Sequence, residues 1–142
     1  MAPPEGAQDA PLSAELEQFL RDHVESYEHL LLLLLLQSEP ARQFEVDELS
    51  SSLRLPAELV SGALDSLARG ALLETSPAGR RYRFAPADPR QGELARALDA
   101  IYAKQPALIM QTLSANAIRR MRTGALHAFA NAFVLRKDKE NG

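Results

Sequence analysis

The most constraining feature of this 142-residue sequence is an uninterrupted run of seven leucines, Leu30 to Leu36. In a helix these side chains point in every direction, and a helix that is apolar all round is stable only when other parts of a protein surround it. The run is far shorter than the roughly 20 apolar residues that cross a bilayer. It therefore predicts a helix in the middle of a protein core and not a membrane span.

A helical pattern also precedes the leucine run. Apolar residues recur there at spacings of three or four with charged residues between them, and Ser13 is a suitable N-cap. Pro40 ends the helical region, because proline lacks the N–H that a helix interior needs. The pattern leaves open whether residues 13–37 form one helix or two helices with a break near Ser26.

Two short helices joined by a tight turn are predicted after the leucine run. Residues 46–53 place their apolar side chains on one face, and Arg54 and Leu55 form the turn. Pro56 suits the first position of the next helix, and Gly70 ends that helix. Helices connected in this way form a helix-turn-helix.

A β-hairpin is predicted next, with strands at residues 72–75 and 81–85 around a turn at Ser76 to Gly79. Alternation along the second strand directs its two aromatic side chains to the core and its two arginines to solvent. The hairpin then carries three cations, which are Arg80, Arg81 and Arg83.

The rest of the chain is predicted to be helical. Asp88 and Pro89 are suited to begin a helix, with Gln91 as a capping-box partner, and Pro106 separates it from a final helix or pair of helices around Ser114. The fold class is therefore mainly α with a small β-hairpin. The predicted divisions are a disordered tail at 1–12, a first helix with the helix-turn-helix and hairpin at 13–87, a helical extension at 88–136 and a frayed tail at 137–142.

Residues 27–85 resemble the winged helix-turn-helix domain of small bacterial regulators. The resemblance lies in the order of a first helix, the segment VDELSSSLRLPAELVSGALDSLARGALLE and a charged hairpin. Residues 47–49 match the superfamily's "x-Glu-Leu" start, and residues 69–72 match its helix-to-strand corner. The resemblance implies a transcription regulator, located in the cytoplasm, that binds double-stranded DNA through its second helix and its wing.

The DNA-contacting residues that this resemblance implies are few. They are Ser61, Ser66 and Arg69 on the second helix and Arg80, Arg81 and Arg83 on the wing. Glu58 and Asp65 lie on the same outward side of that helix, where they repel phosphates. The alternative is an interaction module without DNA binding, in which the exposed Leu59 contacts another protein and the arginines only keep the hairpin soluble.

The uneven distribution of charge along the chain and an excess of apolar residues near its end both indicate that the protein assembles with a partner. Residues 1–70 hold four Arg and thirteen acids, whereas residues 71–142 hold twelve bases and six acids. Together with Leu94, Leu98 and Ile101, the last forty residues supply more large apolar side chains than a winged core needs. These are Ile118, Met121, Leu126, Phe129 and Phe133. We expect this surplus to pack on the first helix or on a second copy, and the resemblance implies a homodimer formed by the flanking helices.

Nothing in the sequence predicts an enzyme or a cofactor. It contains no cysteine and no nucleotide-binding, zinc-hydrolase or nucleophile motif. His23 and His29 are six residues apart, which turns them away from each other on a helix, so no metal site is expected. The absence of cysteine fits a reducing compartment such as the cytoplasm.

Overall fold

The computed structural model describes residues 12–141, with side chains as far as Asn131. Over these residues the chain forms six helices and three strands. In chain order they are α1 (Ala14–His23), α2 (Tyr27–Ser38), β1 (Phe44–Glu45), α3 (Val46–Leu53), α4 (Ala57–Arg69), β2 (Leu73–Thr75), β3 (Arg81–Phe84), α5 (Pro89–Lys104) and α6 (Pro106–Asn141). Of the predicted tails, residues 1–11 and the side chains of 137–142 lie outside the described residues.

The region before Pro40 forms two helices, not one. The Ser13 hydroxyl accepts a hydrogen bond from the Leu16 N–H at 3.2 Å and begins α1. The Ser26 hydroxyl accepts from the His29 N–H at 3.3 Å and begins α2. Because each serine caps its own helix, the chain changes direction between them.

Helix α2 lies at the centre of the core, as the leucine run predicts. It packs against α4, α5 and β3. The fully buried members of the run are Leu30, Leu32, Leu33 and Leu36, and the other three are half-buried. The helix is therefore covered on all sides, which is the condition that an apolar helix requires. No helix among the described residues is long and apolar enough to cross a membrane.

The helix-turn-helix is formed by α3 and α4. Arg54 adopts the left-handed conformation at φ 56°, and the Leu55 N–H donates to the Ser50 carbonyl at 3.1 Å. On α4 the buried side chains are Val60, Ala63, Leu64 and Leu67. This is the apolar face that the sequence pattern predicts.

Helix α4 ends at Gly70, as the sequence predicts, although Gly70 itself does not adopt the left-handed conformation. Gly70 has φ −79°, and the left-handed conformation falls on Ala71 at φ 63°. The N–H of Leu72 donates to the Leu67 carbonyl at 3.1 Å, which closes a Schellman motif. A β-carbon on Gly70 would lie 2.7 Å from Nδ1 of His23, so the glycine is required by the close approach of α1.

The hairpin is part of a three-stranded antiparallel sheet in the order β1-β3-β2. The turn lies where the sequence predicts it, with the Gly79 N–H donating to the Ser76 carbonyl at 2.7 Å. The third strand, β1, pairs with β3, and Phe44 lies opposite Tyr82. Tyr82 and Phe84 are buried, as the alternation predicts.

The C-terminal helices begin at the predicted positions. The Asp88 carboxylate caps α5 by accepting from the Arg90 N–H at 2.9 Å. Gln91 does not complete a capping box, because its Oε1 instead accepts a 3.2 Å hydrogen bond from Nε2 of His23. Helix α6 continues without a break at Ser114, so the alternative of a single final helix is confirmed.

Candidate nucleic-acid interface

A groove of about 430 Å³ separates the tip of the wing from α3 and α4. We call it the wing groove. The residues that line it are Glu45, Val46, Asp47, Ser61, Gly79, Arg80 and Tyr82. Of the six predicted site residues, the structure brings Ser61 and Arg80 together here. Its wall also includes the carboxylates of Glu45 and Asp47, which the sequence pattern did not predict as part of the site.

The two serines predicted to read bases do not share a face of α4. They are five residues apart, which corresponds to a rotation of about 140° around a helix. Ser61 lines the wing groove and Ser66 lies far from it around the helix axis; both are half-buried. Arg69 is exposed in the last turn of α4. The second helix therefore does not present the three residues as one surface.

Acidic side chains occupy the middle of the outward arc of α4. Glu58 and Asp65 are both exposed and seven residues apart, so they lie within about 20° of each other around the helix. Their position between Ser61 and Ser66 puts negative charge where a DNA-reading helix needs donors.

Two of the three wing arginines form ion pairs across the sheet. Nε of Arg81 lies 3.3 Å from Oε1 of Glu45, and Nη2 of Arg83 lies 2.9 Å from Oε2 of Glu74. In both cases the partners stand directly opposite each other on neighbouring strands. The sequence alternation correctly places both arginines off the core, but it does not reveal these partners because they depend on strand register.

Arg80 is different from the other two. It is exposed at the end of the turn, beside Gly79 with φ 72°, and it has no ion-pair partner among residues 12–131. Its guanidinium is therefore the wing cation that is available without any rearrangement.

The wing is tied to α4 by one buried side chain. Tyr82 is 4% exposed, and its hydroxyl donates a 2.8 Å hydrogen bond to Oδ1 of Asp65. Burial and this hydrogen bond together raise the pKa of Tyr82. Asp65 thus fixes the wing against the helix, a role that appears only when β3 is seen next to α4.

The fold is a winged helix-turn-helix. This follows from the order of α2, β1, α3, α4, β2 and β3 and from the hydrogen bonds of the wing. No protein-family model matches the chain, and no curated protein matches it. Among solved structures, it is similar to a crystal structure of a MepR variant from a multidrug-resistant S. aureus clinical isolate. The identity is 16%, the match covers 84% of this chain and 87% of the other, and the TM-score is 0.44.

Charges around the site are nearly balanced. The arginines of the wing face Glu45 and Glu74, while Glu58 and Asp65 remain on the helix. Metal binding has no support in the described part of the chain, where no three suitable side chains come together. The arrangement is suited to contacts with a charged macromolecule through the wing and gives α4 few groups that read bases.

Proposed function

We propose that this chain is a homodimeric transcription regulator that contacts double-stranded DNA chiefly through its wing. The observation that carries the proposal is the position of Arg80, which is exposed at the tip of the wing, has no ion-pair partner among residues 12–131 and lines the same groove as Ser61. Arginine side chains at such a position neutralise backbone phosphates or enter a narrow minor groove.

The ion pairs of the wing are weak obstacles to DNA binding. The side chains of Arg81 and Glu45 are 57% and 55% exposed, and ion pairs in such surroundings contribute roughly 0–1 kcal/mol. A phosphate gives an arginine a stronger and often bidentate partner than an exposed glutamate does. The two paired arginines therefore exchange carboxylates for phosphates at small cost.

Helix α4 contributes little to sequence recognition in this proposal. Glu58 repels a phosphate unless it accepts from a cytosine amine, and Asp65 is engaged by Tyr82. Ser61 is the base-edge candidate next to the wing. We therefore expect binding that depends strongly on salt and weakly on sequence.

Fluorescence anisotropy with a duplex of random sequence tests the proposal. We expect binding at about 50 mM salt that weakens steeply by about 200 mM, with a log-log slope near −5 if six wing arginines of a dimer meet phosphates. Arg80→Ala removes two contacts per dimer and reduces that slope by about 1.8.

Arg96→Ala is the matched control, because Arg96 is also an exposed arginine but lies on α5. It changes the net charge of the chain by the same amount as Arg80→Ala. Absence of binding at low salt would refute the proposal. Equal effects of the two substitutions would refute the role of the wing.

A protein partner is the second candidate function, and the exposed acids of α4 favour it. Leu59 is 39% exposed beside them, so the outward side of α4 offers a basic protein an apolar contact within an acidic surround. In this case the wild-type chain fails to bind DNA at low salt. A partner that is isolated with the wild-type chain should then no longer be isolated with the Leu59→Asp variant. It should still be isolated with the Ala97→Asp variant, which changes an exposed position on α5.

A further inference from the structure

The second half of α6 carries large apolar side chains in solvent. Ile109 and Leu113, in its first half, are buried against the rest of the chain. From Ile118 to Asn131, by contrast, every residue of the helix is exposed. The exposed fractions of the large apolar side chains there are 47% for Ile118, 67% for Met121, 69% for Leu126 and 72% for Phe129. Exposed apolar side chains in such a group mark an interaction surface.

These four side chains lie on one side of α6. Met121 and Leu126 are five residues apart, which turns them about 140° from each other, and Ile118 and Phe129 lie between them around the helix axis. We call this arc the α6 stripe. It is broader than the narrow seam along which two paired helices meet, so it is suited to a broad surface.

The α6 stripe faces away from the rest of the protein. Ile109, which is buried, lies about 180° from Ile118 around the helix axis. Arg120 lies about 160° from Ile118, and its Nη2 donates a hydrogen bond to the carbonyl of Glu25 at the start of the α1–α2 connection. The body of the protein is therefore on the opposite side of α6, and a flat surface can contact the stripe without meeting it.

Positive charge accompanies the α6 stripe. No acidic residue occurs from Ala100 to Lys137. Arg119 lies beside Leu126 around the helix axis, and Arg122 lies within the arc, where its long side chain can carry the guanidinium to the edge of the stripe. Both arginines are exposed, and neither forms an ion pair with residues 12–131. A helix that combines an apolar face with arginines and lacks acids complements an anionic lipid surface.

We propose that the α6 stripe binds the surface of a membrane that contains anionic lipids, with the helix parallel to the bilayer plane. The apolar side chains then enter the boundary between headgroups and acyl chains, and Arg119 and Arg122 meet lipid phosphates. The contact is peripheral and uses none of the residues that the proposed function assigns to DNA. It therefore goes beyond the proposed function and does not depend on it.

Co-sedimentation of the full chain with sucrose-loaded vesicles tests the proposal. One set of vesicles contains equal parts of phosphatidylcholine and phosphatidylglycerol, and the other contains phosphatidylcholine alone. We expect binding to the anionic vesicles at about 50 mM salt and much weaker binding at about 500 mM, where the charges are screened over a few ångströms. Binding to the neutral vesicles should be far weaker at both salt concentrations, because only the apolar contribution remains.

Two glutamate substitutions separate the stripe from the rest of the helix. Phe129→Glu should lower the partition coefficient for anionic vesicles by at least roughly 30-fold, because it removes an apolar side chain from the interface and adds a repelled carboxylate. Asn131→Glu is the matched control, since it adds the same charge on the opposite side of α6, and it should lower the coefficient by at most roughly five-fold. Both positions are exposed, so neither substitution should change the urea midpoint.

A second pair of variants tests the charge. Arg122→Gln should lower the partition coefficient for anionic vesicles by roughly five-fold, because one cation is lost next to the lipid phosphates. Arg96→Gln removes an exposed arginine of α5 and should leave the coefficient nearly unchanged.

Several outcomes would overturn the proposal. These are a wild-type chain that does not bind anionic vesicles at the lower salt concentration, equal binding to neutral and anionic vesicles, and equal effects of Phe129→Glu and Asn131→Glu. An acidic protein as the occupant of the stripe leads to the first of these outcomes. Sedimentation without lipid tests a second copy as the occupant: a dimer that Phe129→Glu converts to a monomer would also overturn the proposal.

The two proposals fail in different ways. A chain that binds anionic vesicles through the α6 stripe but does not bind duplex DNA refutes the proposed function and supports the membrane contact. A chain that binds DNA through Arg80 but does not bind the vesicles does the reverse.

Discussion

Substitution of Gly70 by alanine tests how closely α1 approaches the end of the second helix. The added methyl group would lie 2.7 Å from Nδ1 and 3.0 Å from Cε1 of His23. The imidazole cannot move without loss, because its Nε2 donates to Gln91 and its ring centroid lies 4.9 Å from that of Phe19. Gly70→Ala should therefore displace the ring and weaken the contact between α1 and α4.

The expected magnitude combines three contributions. Overpacking of a close contact costs roughly 1–3 kcal/mol. Loss of the hydrogen bond to Gln91 adds about 0.5–1.5 kcal/mol. Replacing glycine in an ordinary backbone conformation stabilises by about 0.4–1 kcal/mol through the unfolded chain. We expect Gly70→Ala to lower the free energy of unfolding by about 0.5–4 kcal/mol in total.

Urea denaturation at a fixed protein concentration measures this change, and His23→Ala provides the control. Without the imidazole, the methyl group meets no side chain within 3.0 Å, and Gly70→Ala should be neutral or slightly stabilising. The double-mutant cycle should then give a coupling free energy of about 1.5–4.5 kcal/mol between the two positions, because the unfolded-chain contribution cancels. An equal cost of Gly70→Ala in both backgrounds would refute the steric explanation.

Three further predictions concern the end of α4, the wing and the histidines. Ala71→Gly should raise the free energy of unfolding by about 0.5–1 kcal/mol, because the left-handed conformation of Ala71 strains an alanine; no change in the urea midpoint would contradict this. Tyr82→Phe should lower the free energy of unfolding by about 1–2 kcal/mol, because the hydrogen bond to Asp65 is lost. In an Asp65→Ala background the same substitution should have no effect on the free energy of unfolding. Burial lowers the pKa of both His23 and His29, so the unfolded chain binds more protons below its ordinary histidine pKa of about 6.5. Stability should therefore be constant above that pH and fall as the pH decreases through it, and urea midpoints at pH 8 and pH 5 should differ less in a His23→Gln/His29→Gln variant.

Much of the fold was predictable from the sequence because its signals are local. The leucine run specified a surrounded helix, Ser13 and Asp88 marked two helix starts, and the turn at Ser76 to Gly79 set the hairpin. Each of these depends on backbone geometry within a few residues of the signal. The sequence also indicated the surplus of apolar residues in the last helix.

The site was predictable only in part. The sequence placed three arginines on the wing, but it gave no indication that Glu45 and Glu74 stand opposite two of them. It grouped Ser61 with Ser66, although the two lie far apart around α4. The hydrogen bond between Tyr82 and Asp65 joins residues that are 17 positions apart, and it exists only because β3 packs beside the helix.

The amino-acid sequence by itself determined the helix-turn-helix, the hairpin and the apolar faces of the helices, and that the wing carries three arginines. The tertiary structure decided which charges the wing arginines meet, why Gly70 and not another residue follows α4, and which apolar residues stay outside the core. The reason is physical: periodicity and capping act over one or two turns of chain, whereas ion pairs and close approaches depend on how distant segments pack together.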